Sequence, residues 1–284
     1  MSGITWYSYY QLSSKKNVMK VLCATDFSDV SVNAIEYVFN MLKKAGGELE
    51  ILHCVEIRRR ADMFVSIRDF LKEKAEEDMA ILENAFVGKD ENVKVKSTVK
   101  VAESKTYIPR YASHHNFDLI VTGTTGLTSL KNLIIGSVTY YISNHTEIPL
   151  LIIPDNYSFK EIETVVIGLG KEEIKNIKML DHVYNFLKPS DPKIYLAQVI
   201  KKDKHVISVD TRLEEYLKEL TYEYTTIEKK KSLITSIDSY CKEVNSDLLC
   251  LIHQKKNWLN NLIYKSTTKE ELFSISSPVL IIPD

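Results

Sequence analysis

Three glycines and a serine that could form a phosphate-binding loop occupy the stretch Asp118–Ser137, DLIVTGTTGLTSLKNLIIGS. Gly123 and Gly126 follow the apolar residues of a predicted buried strand, and Gly136 with Ser137 precedes a helix-like segment. Glycine adopts backbone φ angles above zero and lets a ligand approach the main chain, so these residues can turn N–H groups toward an anion. A helix that begins at Ser137 adds unpaired N–H groups and the positive end of its dipole. The stretch is predicted to bind phosphate, and the alternative is that its glycines only form turns.

Further candidate ligand contacts end the predicted strands. Because ligands of open parallel α/β sheets bind beyond the carboxyl ends of the strands, these residues are expected to lie near the glycines. Asp26 is predicted to accept a hydrogen bond from a ligand; the alternative is that it caps the following helix, in competition with Ser28 and Asp29. His53 is expected to be a hydrogen-bonded strand-end histidine rather than a catalyst. The other candidates of this kind are Thr25, Cys54 and Thr122.

Three consecutive arginines, Arg58 to Arg60, follow the second predicted strand. Guanidinium groups pair bidentately with phosphate, so these side chains are candidates for closing over a phosphate chain. The alternative is a solvated charge run at the start of a surface helix. No catalytic triad is legible in the sequence.

The composition is that of an ordinary globular protein, with 284 residues, 44% hydrophobic residues, 26% charged residues and a net charge of −1. Such a charge balance does not point to nucleic acid or to a membrane surface, and no apolar run is long enough to span a membrane. We therefore expect a cytoplasmic protein whose partners are small molecules and proteins. The four cysteines lie in apolar segments without a C-x-x-C pair and are expected to be buried thiols.

Strand-like and helix-like segments alternate along the chain. The strands are apolar on both faces, which predicts an α/β fold with a mostly parallel sheet covered by helices on both sides. The predicted strands of the first half are 20–25, 50–55, 93–101, 119–122 and 150–153, and the predicted helices are 28–44, 62–84, 104–115 and 137–144.

The second half repeats this plan with an offset of 129 residues between Asp118–Asp155 and Asp247–Asp284. The two copies end in PLLIIPD and PVLIIPD. We therefore predict two tandem doubly wound, Rossmann-like modules of five strands each, at residues 18–157 and 158–284, after an N-terminal extension of residues 1–17. The tether between them is placed near Asp155–Lys160.

The second copy lacks the glycines of the first. At the same offset, Ile252, Lys255 and Lys265 stand in place of the three glycines, while Ser266 retains the serine. Asp26 has no carboxylate counterpart, because the second copy reads VVIGLG from Val165 to Gly170. The expectation is one ligand per chain; the alternative, that the two lysines bind phosphate as point charges, stays open.

The spacing G-x2-G-x9-G-S, from Gly123 to Ser137, resembles the signature of the ATP-binding branch of the universal stress protein family. Three further matches are Ala24-Thr25-Asp26, His53-Cys54 and Ser137-Val138-Thr139. The resemblance implies that ATP binds in the first module, with Mg²⁺ bridging its phosphates and adenine against the backbone of Cys54. The implied contacts are Ala24, Thr25, Asp26, Cys54, Thr122, Gly123, Gly126, Gly136, Ser137 and Val138.

The same resemblance implies that each final strand is a sheet edge through which modules pair. The tandem chain is therefore expected to pair its own final strands, and a homodimer is a further possibility. The resemblance also implies a regulatory, nucleotide-binding role in the stress response. The alternatives are a slow ATPase or phosphotransferase, and a scaffold protein that binds no nucleotide.

Overall fold

The computed structural model of the chain describes residues 18–57, 65–124, 136–155, 157–169, 190–200, 211–218, 220–230, 233–253 and 277–283. Ten strands and six helices lie in this part of the chain. The strands are β1 (Met19–Thr25), β2 (Gly47–Val55), β3 (Val93–Val101), β4 (Leu119–Gly123), β5 (Leu150–Ile153), β6 (Thr164–Leu169), β7 (Lys193–Ile200), β8 (Tyr222–Glu228), β9 (Leu248–His253) and β10 (Val279–Pro283). The helices are α1 (Asp29–Ala45), α2 (Val65–Asn84), α3 (Ser104–His114), α4 (Ser137–His145), α5 (Thr211–Leu217) and α6 (Leu233–Glu243).

Several sequence predictions lie outside the described residues. They concern residues 1–17, Arg58, Arg59, Arg60, Gly126, Gly170, Lys255, Lys265 and Ser266.

All ten strands form one sheet with the order β3-β2-β1-β4-β5-β10-β9-β6-β7-β8. The first five strands pair parallel to one another, and so do the last five. Each half has the same strand order, so the topology repeats as the sequence offset predicts. The predicted fold class, two tandem five-stranded α/β units with helices on both faces, is confirmed.

The two halves meet at their final strands. β5 and β10 pair antiparallel, with Leu151 opposite Leu280, Leu150 opposite Ile281, and Ile152 opposite Val279. Leu151 and Leu280 are equivalent residues at the offset of 129. The residue before each of them pairs with the residue after the other. The register is therefore that of a local twofold axis through the Leu151–Leu280 pair, and the predicted pairing of the final strands within one chain is present.

Helices cover both faces of the sheet. On one face, Val21, Cys23 and Val121 pack in the same cluster as Ile35 and Leu42 of α1. On the other face, Leu22 and Ile120 belong to a cluster with Ile108 of α3 and Ile142 of α4. The connections that leave β1 and β4 thus cross opposite faces of the sheet, although the two strands are neighbours. This divergence is the place where ligands bind in doubly wound sheets.

An aspartate ties the first strand of each half to the fourth. In the first half, Asp118 Oδ2 accepts a hydrogen bond of 2.8 Å from the backbone N–H of Lys20. In the second half, Asp247 Oδ2 accepts bonds of 2.9 Å from the N–H groups of Glu163 and Thr164. The repeated contact explains why both copies begin this strand with aspartate.

The four cysteines are buried free thiols, as the sequence predicts. In the described parts of the chain, none of the helices combines the length and the hydropathy that a membrane span requires.

Candidate functional site

A cavity opens at the carboxyl ends of β1, β2 and β4, beside the divergence of the connections. The part enclosed by described residues has a volume of about 140 Å³. Its wall includes the first turns of α1, α3 and α4, so three helix N-termini, each with a partial positive charge, meet there. The lining residues are Ala24, Thr25, Asp26, Ser28, Ser31, Leu52, Cys54, Ser104, Ile108, Thr122, Gly123, Thr124, Gly136, Ser137, Val138 and Thr139.

Nine of the ten predicted contacts line this one cavity, although they come from four separate segments of the sequence. The tenth, Gly126, is outside the described residues. The nine are Ala24, Thr25, Asp26, Cys54, Thr122, Gly123, Gly136, Ser137 and Val138.

The Asp26 carboxylate is exposed and stands beside the start of α1 without capping it. Ser28 is the N-cap, because its hydroxyl accepts a hydrogen bond of 3.4 Å from the N–H of Ser31. Asp26 Oδ1 accepts bonds from the N–H and the hydroxyl of Ser28, at 3.1 and 2.5 Å. Partial burial raises the pKa of Asp26, but these bonds outweigh that effect and hold it below its usual value. The Asp26 carboxylate is therefore ionised at neutral pH. The residue that caps α1 is Ser28 and not Asp26.

The side chain of Thr25 is fully engaged inside the protein. Its hydroxyl lies 2.8 Å from the hydroxyl of Ser31 and accepts a bond of 2.9 Å from the N–H of Phe27. His53 Nδ1 lies 2.8 Å from the carbonyl oxygen of Thr25. His53 is thus the hydrogen-bonded strand-end histidine that the sequence predicts, and Thr25 contributes to the wall.

Cys54 is a buried, protonated thiol at the end of β2. Burial and the negative charge of Glu56 raise its pKa to about 12, against a lowering effect of Ser104. A thiol with such a pKa is not a nucleophile at neutral pH. Its place in the cavity is that of a small apolar residue.

Gly123 differs from the sequence expectation in conformation. Among the described glycines only Gly46 and Gly88 have positive φ angles, so Gly123 does not form a left-handed turn. It pairs with Ile153 as the last residue of β4. A Cβ atom at Gly123 would lie 2.7 Å from the carbonyl oxygen of Val30 and 2.8 Å from Val30 Cγ1. Glycine is therefore required here by the close packing of α1 on the sheet.

The start of α4 exposes backbone donors to the cavity. Gly136 is the N-cap, with φ of −62° and ψ of 154°, and no side chain caps the helix. Ser137 is exposed, while Thr139 is buried and donates a bond of 3.2 Å to the hydroxyl of Thr122. The N–H groups of the first turn lack a capping oxygen from the described side chains and suit an anion.

Seven lining residues are not among the ten predicted contacts. Ser28 and Ser31 carried a signal, since both belong to the cap of a helix whose N-terminus was placed correctly. Ser104 and Ile108 of α3 carried none, because their place over the end of β2 depends on long-range packing. The other three are Leu52, Thr124 and Thr139.

The second half lacks the close approach made at Gly123. Its counterpart is Ile252, which is buried in the core. The position equivalent to Thr25, judged from the pairing of β6 with β9, is Leu169. The structure thus places apolar side chains where the first half has cavity-lining glycine and threonine. No cluster of three or more metal-ligating side chains occurs among the residues that the structure describes.

Comparisons with known proteins show which family the first half of the chain is similar to. Residues 17–154 match the model of the Universal stress protein family. The chain is 29% identical over 147 residues to universal stress protein YxiE of Bacillus subtilis, which covers 47% of this chain and 97% of that protein. It is 27% identical over 139 residues to universal stress protein MJ0531 of Methanocaldococcus jannaschii, and this match covers 47% of this chain and 81% of that protein.

Solved structures extend the likeness to the second half. A universal stress protein from Archaeoglobus fulgidus covers 93% of this chain and 98% of its own, with a TM-score of 0.73 and 18% identity. A putative universal stress protein from Pseudomonas aeruginosa covers 94% of each chain, with a TM-score of 0.57 and 11% identity. At these identities the comparison shows the fold alone. Residues 17–154 are therefore similar to the universal stress protein family, and the whole chain shares its fold with these two solved structures.

Proposed function

We propose that the chain is a cytoplasmic regulatory protein of the stress response that binds one ATP molecule in its first half. The observation that carries this proposal is the convergence of nine predicted contacts on a single cavity. These contacts are expected from the glycine spacing, the strand ends and the family resemblance, and they come from four separate segments of the sequence. Their assembly at the divergence of β1 and β4 supports a ligand-binding role.

The lining divides into two chemical classes that suit the two ends of a nucleotide. Leu52, Cys54, Ile108 and Val138 offer apolar surface for a heterocycle. The hydroxyl groups and the helix starts offer donors for phosphate oxygens, and Asp26 offers an acceptor for ribose or adenine. Small-molecule pockets usually measure ~300–1,000 Å³, so about 140 Å³ accommodates only part of a nucleotide. The sequence predicts that residues 125–135 of the glycine loop are part of the same site. These residues lie outside the described part of the chain.

We assign the second half, residues 158–284, to a structural role beside the binding unit of residues 18–157. Ile252 occupies the position of Gly123, and it belongs to the apolar core. In this proposal the second half covers the apolar edge strand of the first. The stoichiometry is then one nucleotide per chain.

Two measurements test this function. Mass spectrometry of small molecules released from the purified chain identifies a co-purifying nucleotide, and isothermal titration calorimetry with ATP and Mg²⁺ gives the stoichiometry. We expect an adenine nucleotide and one site per chain. Two equivalent sites would overturn the assignment of the second half, and no binding of any adenine nucleotide would favour the scaffold alternative. Release of ADP and phosphate during the titration would favour the slow ATPase.

A further inference from the structure

Phe27, between Asp26 and the cap residue Ser28, has a backbone conformation that is unusual for its type. Its φ angle is 63°, in the left-handed region. The other non-glycine residues with positive φ in the described parts of the chain are Asn116, Asp191 and Asn245. Asparagine and aspartate tolerate this region, whereas the backbone of an aromatic residue is strained there. Phe27 is therefore the strained residue of this set, and it lies next to the cavity.

Specific contacts hold Phe27 in this conformation. Its ring stacks on the imidazole of His53, with the centroids 4.3 Å apart and the planes tilted by 34°. The imidazole is itself fixed by the bond of 2.8 Å between His53 Nδ1 and the carbonyl oxygen of Thr25. The N–H of Phe27 donates to the Thr25 hydroxyl, and the ring packs against the core on the α1 face. The ring is thus anchored to the end of β1 and to β2.

The conformation of Phe27 determines where Asp26 points. The left-handed turn brings the N–H and the hydroxyl of Ser28 back onto Asp26 Oδ1. The same serine caps α1 through the N–H of Ser31. Both ends of this arrangement, Asp26 and Ser31, line the cavity. Relaxation of Phe27 to an ordinary φ angle would break the bonds that orient the carboxylate.

We propose that Phe27 is a positioning residue, whose ring on His53 holds the strained turn that orients the Asp26 carboxylate in the cavity. The expected effect of Phe27 on ATP affinity rests on the proposed ATP site. The expected effect of Phe27 on the pKa of Asp26 does not rest on that site, because it is measured in the ligand-free protein.

The ligand-free test is a carbon-13 NMR titration of the aspartate carboxyl groups in the wild type and in two variants. Phe27→Ala removes the ring and keeps a Cβ atom, so the left-handed turn loses its anchor but remains strained. Loss of the Ser28 bonds should then raise the pKa of Asp26 toward its ordinary value. Phe27→Gly also removes the ring, but glycine adopts the same φ without strain, so the pKa of Asp26 should stay closer to that of the wild type.

The matched control is Phe39→Ala, which removes another ring from the same core cluster on the α1 side of the sheet. Phe39 is buried against Phe86, with centroids 5.3 Å apart, and takes no part in the turn. It should lower the melting temperature and leave the pKa of Asp26 unchanged. If Phe27→Ala behaves like this control, Phe27 only fills the core and the proposal is wrong.

ATP binding provides the second readout. Phe27→Ala should raise the Kd for ATP about tenfold in the wild-type background, which is the scale of one charge-assisted hydrogen bond. It should have no further effect when combined with Asp26→Asn, since the carboxylate it positions is then absent. Equal effects in both backgrounds would overturn the positioning role. If the wild type does not bind ATP at all, the proposed function fails, while the titration of Asp26 still decides the role of Phe27.

Discussion

Glu50 carries a buried carboxylate on β2, next to the edge strand of the sheet, between Leu22 of β1 and Lys96 of β3. Its side chain is 1% exposed, and Oε2 lies 2.7 Å from the ammonium group of Lys96. Oε1 accepts bonds of 2.8 Å from Thr98 and 2.6 Å from the hydroxyl of Tyr111. Burial raises the pKa of Glu50, but these three partners outweigh it and hold the pKa below its usual value. The charge therefore fixes the edge strand β3 and helix α3 to the sheet.

Glu50→Gln should lower the free energy of unfolding by about 1–3 kcal/mol at neutral pH, because a buried charged acceptor is lost. The folded pKa is depressed, so the wild-type contribution is complete above the unfolded value of about 4.3 and disappears as the pH falls through the folded value. Urea unfolding between neutral and acid pH measures both effects. The difference between wild type and variant should shrink in acid.

Glu48→Gln is the matched control for this prediction. Glu48 lies two residues earlier on β2 and faces Lys94 at 3.9 Å, but both side chains are exposed, at 38% and 81%. An exposed pair of this kind contributes little, so the change should be below about 1 kcal/mol. Equal losses for the two variants would show that Glu50 is no more than a surface charge.

Asp26→Ala tests the ligand contact at the cavity. The affinity for ATP should fall by about 1.5–3 kcal/mol if the carboxylate accepts a hydrogen bond from the ligand. Stability should change by about 1 kcal/mol or less, because Ser28 rather than Asp26 caps α1. Calorimetry and thermal melting measure the two quantities. Asp29→Ala, at an exposed acidic residue in the first turn of the same helix, is the control and should leave ATP affinity unchanged.

The sequence predicted the types and places of these residues better than their contacts. Asp26 and Cys54 were located because strand ends and turns have strong local signals. The left-handed angle of Phe27 was not predictable, since it is imposed by a histidine on another strand. The partners of Glu50 could not be predicted from the sequence either, because β2, β3 and α3 must pack together before these side chains meet.

At the scale of the elements, Gly123 positions α1 on the end of β4. Gly123→Ala should lower the free energy of unfolding by about 1–3 kcal/mol, because the new methyl group collides with Val30. The movement of α1 should also weaken ATP binding, since Ser28 and Ser31 of its first turn line the cavity. Chemical denaturation and calorimetry measure the two effects. Unchanged stability would show that α1 shifts without cost and that Gly123 is not a packing requirement.

Substitutions at Gly136 test the approach of the ligand to the backbone without disturbing the packing of the core. Its backbone angles are those that any residue adopts, so substitution should leave the fold largely intact. Gly136→Lys, which copies the lysine found at residue 265, should abolish ATP binding by placing a long side chain at the start of α4. Gly136→Ala is the milder control for stability. Normal ATP binding by the lysine variant would remove the start of α4 from the phosphate site.

The element boundaries were largely predictable, and their reasons are local. The strands at 93–101 and 150–153 agree with the sequence prediction to the residue, because local sequence signals mark where they begin and end. The phosphate loop shows the limit of such signals. Glycine spacing located the loop, but it did not distinguish a left-handed turn from the close helix contact at Gly123, which depends on Val30 far away in the sequence.

At the scale of the whole molecule, the inner and outer edges of the two halves differ in chemistry. The inner edges, β5 and β10, are apolar and pair with each other. The outer edges carry exposed charges, with Lys94, Lys96 and Lys100 on β3 and Glu223 and Glu228 on β8. Charged edge strands resist pairing with another chain, whereas an apolar edge left open invites it. The tandem arrangement therefore satisfies its apolar edges within one chain.

A chain that ends at residue 157 should reveal what the second half contributes. It keeps the cavity-lining residues but loses β10, so the backbone of β5 lacks its antiparallel partner and the surface around Leu150–Ile153 is uncovered. We expect this shortened chain to dimerise or aggregate in sedimentation experiments. The full chain needs no second chain to cover β5, because its tether keeps β10 at a high effective concentration. A shortened chain that stays a monodisperse monomer would contradict this role, since β5 would then be stable without a partner strand.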